Sequence, residues 1–104
     1  MKKVIDGKVY DTETAEQIAS TTFSKYGDLT YWSEKLYRTR KGNWFIAGEG
    51  GAMSPYARSI GQNEIGGGSA IIPLTRVKAL SWLEAHTPDS EAVEKYFSDV
   101  FEKG

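Results

Sequence analysis

Four cations are threaded through five aromatic rings in the middle of this chain. Lys35, Arg38, Arg40 and Lys41 lie among Tyr31, Trp32, Tyr37, Trp44 and Phe45. Rings that stack on bases, with cations that meet phosphates, suit single-stranded nucleic acid. The same residue types anchor protein interfaces. A third reading needs no partner: Arg38 over Trp44 is then an internal cation–π pair. Composition alone leaves all three open.

The remaining candidates are weaker. His86 is the single histidine and cysteine is absent, so no thiolate metal site or thiol nucleophile can form. His86 falls in the last turn of an expected helix, where a cation complements the dipole. No spacing links it to Ser54 or Ser69 as a triad. Glu34 and Glu49 come close across an expected hairpin, yet strand alternation turns them to opposite faces. Gly48-Glu49-Gly50-Gly51 before a helix capped by Ser54 resembles an anion nest. It lacks the Gly-Lys-Ser/Thr ending of a phosphate loop and the dinucleotide fingerprint. No catalytic residue, metal or cofactor is expected.

The chain has 104 residues, the size of one domain (1–104). Its start shows no long apolar run, and no stretch nears the ~20 apolar residues of a membrane span, so no membrane partner is expected. The expected setting is the cytoplasm. Net charge is −1, but it is unevenly spread: −2 over residues 1–34, +5 over 35–80 and −4 over 81–104. A basic middle beside an acidic tail suits an anionic partner, or simply solvated turns and helix faces.

These residues must be positioned by a hairpin. Residues 30–39 and 43–48 are strand-forming and flank Arg40-Lys41-Gly42, where glycine permits a short loop with a bulge. Pairing Thr39 with Asn43 sets Arg38 opposite Trp44, Tyr37 opposite Phe45, Leu36 opposite Ile46 and Lys35 opposite Ala47. Leu36, Trp44 and Ile46 then share one face with Arg38, and Tyr37, Phe45 and Ala47 share the other. Both faces carry rings. One is expected to pack on helices and the other to wait for a partner.

Around this hairpin the expectations are as follows. Asp6-Gly7 turns a small hairpin between Val4-Ile5 and Val9-Tyr10. Ala15, Ile18, Ala19, Thr22 and Phe23 form a helical stripe after a cap at Asp11 or Thr12. Residues 48–68 make a long glycine-rich loop holding one short helix from Ser54-Pro55 to Gly61. Residues 69–73 add a third strand that Pro73 ends. Thr75 caps a helix to His86, with Val77, Leu80, Ser81 and Glu84 in one row. A last helix over 89–102, capped by Asp89 or Ser90, carries Val93, Phe97, Val100 and Phe101. The expected fold is α+β: a three-stranded antiparallel sheet, hairpin 30–48 plus strand 69–73, packed by about three helices.

The sequence resembles a group of short bacterial proteins carried by phages, plasmids and conjugative elements. The resemblance rests on Lys8-Val9-Tyr10-Asp11-Thr12-Glu13-Thr14-Ala15, on Leu36-Tyr37 before the basic turn, and on Ile71-Ile72-Pro73-Leu74-Thr75. Its specific part is Gly48-Glu49-Gly50-Gly51-Ala52-Met53-Ser54 with Tyr56-Ala57. The group has no agreed catalytic residues, so none transfer. The resemblance implies a non-enzymatic accessory protein that binds and blocks a host defence complex in the manner of an anti-CRISPR inhibitor. The partner would be a host protein or ribonucleoprotein. The alternative is a nucleic-acid-binding accessory protein using the same hairpin. The expected contact surface is Tyr37, Arg38, Arg40, Lys41, Trp44, Phe45, Glu49 and Tyr56.

Overall fold

A computed structural model describes residues 1–88 and 91–100. Its centre is the hairpin of β4 (Trp32–Arg38) and β5 (Trp44–Gly50). The turn closes as its residues dictate. Thr39 N donates to the Asn43 carbonyl at 2.8 Å, Gly42 N to the Thr39 carbonyl at 2.9 Å, and Asn43 N to Thr39 Oγ1 at 3.0 Å. Gly42 sits at φ 86°, a conformation that costs glycine nothing. The expected register is present throughout, from Arg38 opposite Trp44 to Glu34 opposite Gly48.

The other elements are β1 (Lys2–Ile5), β2 (Lys8–Asp11), β3 (Glu16–Phe23), β6 (Arg58–Gly61), β7 (Glu64–Gly66), β8 (Gly68–Leu74), α1 (Arg76–His86) and α2 (Glu91–Phe97), with a 3-10 turn at Ser98–Val100. The architecture is α+β. The main antiparallel sheet runs β3-β4-β5-β8, and β1-β2 and β6-β7 are separate antiparallel hairpins. The sheet therefore has four strands where three were expected. Two α-helices are described where about three were expected.

The expected first helix is the edge strand β3. Between Gln17 and Ala19 the register with β4 slips by a bulge at Ile18. A bulge sets two residues of one strand against one of its partner. Ile18 and Ala19 both pack on the helix-side core, while Ala15 packs on the opposite one. The apolar spacing thus mimics a helical stripe. The β-branched Ile18, Thr21 and Thr22 agree with strand. The expected short helix after Ser54 is also absent. Ala57 N bonds the Ser54 carbonyl in a single turn, and the chain then enters the β6–β7 hairpin. β8 runs through Pro73, which an edge strand tolerates because one side of it needs no ladder donor.

One face of the sheet is covered by helices, as expected. Leu36, Trp44 and Ile46 pack against Ala79, Trp82 and Leu83 of α1 and Ala92 and Phe97 of α2. Burying a side chain such as Leu36, Leu83 or Phe97 contributes about 1.5–3 kcal/mol. The buried face of α1 is rotated from the expected row: Val77 is 74% exposed and Trp82 is inside. The Thr75 cap is present, its hydroxyl accepting from Lys78 N at 3.2 Å. In α2 Phe97 is buried, whereas Val100 beyond it is exposed. The caps proposed at Asp89 and Ser90, and Phe101, lie outside the described residues.

The other face does not wait for a partner. Tyr37, Phe45, Ala47 and Ile71 are buried there beneath Tyr10 of β2, with Ile5 and Ala15 beside it. The N-terminal hairpin is the lid that alternation along β4 and β5 demands.

Candidate binding surface

The eight residues expected to form one contact surface are divided by this lid and these helices. Phe45 stacks on Tyr37 at 5.1 Å between centroids and meets Tyr10 edge-on at 5.4 Å. Trp44 packs against Phe97 at 5.2 Å and Tyr96 at 5.5 Å. Tyr37, Trp44, Phe45 and Tyr56 are all at most 8% exposed. Their rings are core, because each is worth more buried between layers than presented to water. As a surface of rings, the expected site does not exist in the folded chain.

Arg38 makes the internal ring contact expected of it. Its guanidinium lies 5.9 Å from the Trp44 ring and closer, at 4.9 Å, to Tyr96. It is half-buried and committed to these rings.

Tyr56 is positioned by a glycine. It lies against Gly48, where any β-carbon would collide with its ring and hydroxyl. The hydroxyl donates to Glu34 Oε2, and Trp82 Nε1 donates to Glu34 Oε1 at 2.9 Å. Burial pushes the Tyr56 hydroxyl well above the usual tyrosine range, and the bond to Glu34 and its charge add to this. Glu34 thereby ties the 54–57 turn and α1 to β4. Glu49, next along β5 from Gly48, is exposed on the opposite face. The two carboxylates do not meet, as alternation requires.

The glycine run forms no anion nest. Gly51 N donates to the Tyr31 carbonyl at 2.8 Å, Met53 N to Leu29 at 2.8 Å and Ser54 N to Gly51 at 3.1 Å. These amides are spent on holding the loop. His86 sits between indoles, 5.0 Å from Trp82 and 5.9 Å from Trp32. Among the described residues no group of His, Cys, Asp and Glu could hold a metal ion. No described helix is long and apolar enough to cross a membrane.

What remains at the surface is the basic end. Arg40 and Lys41 at the β4–β5 turn converge with Lys8 at the β1–β2 turn on a cavity of about 300 Å³. Thr14, Thr39 and Asn43 complete its polar wall, and no carboxylate lines it. A smaller hollow shares Thr14, Thr39 and Arg40 and reaches Arg38 and Glu16. Among the described residues none of Lys8, Arg40 or Lys41 is in an ion pair; the pair found there is Arg76–Asp99 at 2.6 Å. Of the residues that line this cavity, Arg40 and Lys41 are among the expected contact residues and Lys8 and Thr14 are not. The sequence signal for Lys8 is that the Asp6-Gly7 turn, like the Arg40-Lys41-Gly42 turn, carries a lysine; Thr14 has no such signal. Which turns share an end is set by packing.

Comparison with known proteins finds no matching family model, no matching curated protein and no matching solved structure.

Proposed function

We propose that this protein is a non-enzymatic binding protein whose basic end engages an anionic surface of a host ribonucleoprotein complex and blocks it sterically. The observation that carries the reading is the convergence of Lys8, Arg40 and Lys41, free of ion pairs, around one cavity with no carboxylate in its wall. Cations clustered this way attract polyanions at long range. The hydroxyls of Thr14 and Thr39 and the Asn43 amide offer donors for phosphate or carboxylate oxygens. The resemblance to proteins of mobile elements supports the biological role: blocking a bacterial defence complex of the CRISPR–Cas type in the host cytoplasm.

The second reading is direct nucleic-acid binding by the same cavity, which the missing carboxylates also favour. One experiment separates the two. The protein and the triple variant Lys8→Ala/Arg40→Ala/Lys41→Ala are compared for binding to a purified CRISPR–Cas complex and to naked single- and double-stranded DNA and RNA. The proposal expects co-elution with the complex, loss of it in the variant, and weak binding to naked strands. Naked strands bound as tightly as the complex establish the second reading. A variant that still binds and inhibits removes both.

A further inference from the structure

A second hollow, of about 440 Å³, lies at the opposite end of β4 and β5 from the basic cavity. Its wall includes Tyr26 and Tyr31, the carboxylates of Asp28 and Glu49, and no basic side chain. The two rings stand nearly perpendicular, 75° apart with centroids at 5.5 Å, so they form two sides of a corner. Tyr26 is 87% exposed, so burial of its own ring does not account for its placement.

The loop is built to hold this corner. Asp28 accepts from Thr30 N at 2.9 Å, Thr30 Oγ1 at 2.8 Å and Ser24 Oγ at 3.0 Å. Met53 N and Gly51 N pin the loop's Leu29 and Tyr31 carbonyls from the other side. The hydrogen bonds to Asp28, led by the Thr30 amide, hold its carboxyl below the usual carboxylate range. Glu49 is exposed and makes no hydrogen bond or ion pair among the described residues. Arg58 approaches this edge of the sheet but donates to the Ser69 carbonyl and is not part of the wall.

We propose that the corner of Tyr26, Tyr31 and Glu49 receives an arginine side chain presented by a partner protein. A guanidinium is planar, stacks on an aromatic face and donates in a fork that matches a carboxylate. The hollow supplies a tyrosine face, a carboxylate without a partner among the described residues and a second negative charge in its wall. The site is independent of the basic end: either can fail without the other. Together they give the molecule two ends of opposite electrostatic preference.

The test is a titration of the isotope-labelled full chain, followed by amide chemical shifts. The probes are N-acetyl-arginine methylamide, its neutral citrulline counterpart, and tetramethylammonium. Saturable shifts at Gly27, Glu49 and Gly50 are expected for the arginine compound and none for citrulline. Tyr26→Ala and Glu49→Gln should each weaken binding by about two- to fivefold, the scale of an exposed cation–π contact, with the remaining spectrum unchanged. Linear shifts, equal binding of citrulline, or indifference to both substitutions overturns the proposal. Tighter binding of tetramethylammonium than of the arginine compound overturns it in favour of a small quaternary ammonium ligand. Concentration-dependent self-association that Arg40→Ala abolishes overturns it in favour of a second copy of this chain.

Discussion

The Tyr56 hydroxyl donates to the Glu34 carboxylate directly over Gly48, the residue paired with Glu34 across the sheet. One carboxylate thus gathers a turn 22 residues away and, through Trp82, a helix 48 residues away. The bond holds only because position 48 has no side chain.

Gly48→Ala should therefore destabilise the fold by about 1–3 kcal/mol, the usual cost of overpacking. A lowered urea midpoint at unchanged slope is the expected result. Tyr56→Phe in the same background should recover little, because its ring still meets the added methyl. Gly48→Ala with wild-type stability would show that Tyr56 is not seated there.

Alkaline pH should loosen the same contact. The Tyr56 hydroxyl titrates higher in the folded chain than its ordinary value of 10.0. The folded state then holds the proton that the unfolded state releases. Stability is full below pH 10 and falls as pH rises above it, by no more than about 1.4 kcal/mol per pH unit for one proton. Denaturation midpoints from pH 8 to 11 should show this fall in the wild type and a shallower one in Tyr56→Phe, because Lys95 is also raised and keeps part of the slope.

Trp44→Ala and Phe45→Ala should each cost about 3–5 kcal/mol, as for large rings removed from a core. Chemical denaturation measures this directly. For that reason neither substitution can report on partner binding. Lys8→Ala, Arg40→Ala and Lys41→Ala should each stay within about 0.5 kcal/mol of wild type, the range for exposed positions. They are the clean reporters.

Tyr10→Ala should uncover the Tyr37–Phe45 stack without touching the helix side. Increased dye binding and faster proteolysis within residues 1–15 are expected, with the α1 amides still protected from hydrogen exchange. Loss of protection across both layers would mean that the two cores melt as one unit.

Thr75→Ala removes an N-cap acceptor and should lower stability by about 1 kcal/mol. Thr75→Ser, which keeps the hydroxyl, should restore most of it.

Much of this architecture is legible in the sequence. The β4–β5 register followed from one turn, because Thr39, Gly42 and Asn43 admit few ways to close and each strand then alternates by twos. The small hairpin at Asp6-Gly7 and the Thr75 cap follow in the same way from local chemistry. The departures from local signals share one cause. The stripe at Ala15, Ile18, Ala19, Thr22 and Phe23 fits a helix and a bulged strand equally, and only an open edge on β4 chooses between them. Ser54-Pro55 signals a helix start, but Tyr56 is drawn onto Gly48 and the turn goes no further.

Local stereochemistry was enough to set the central ribbon, its two apolar faces and its basic tip, since those depend on residues a few positions apart. Which layer covers each face, and that Lys8 joins Arg40 while Glu49 lines one hollow with Tyr26 and Tyr31 at the far end, came from contacts between distant segments. No pattern within one segment encodes such contacts, because burial of both faces at once is a property of the assembled layers and not of any strand alone.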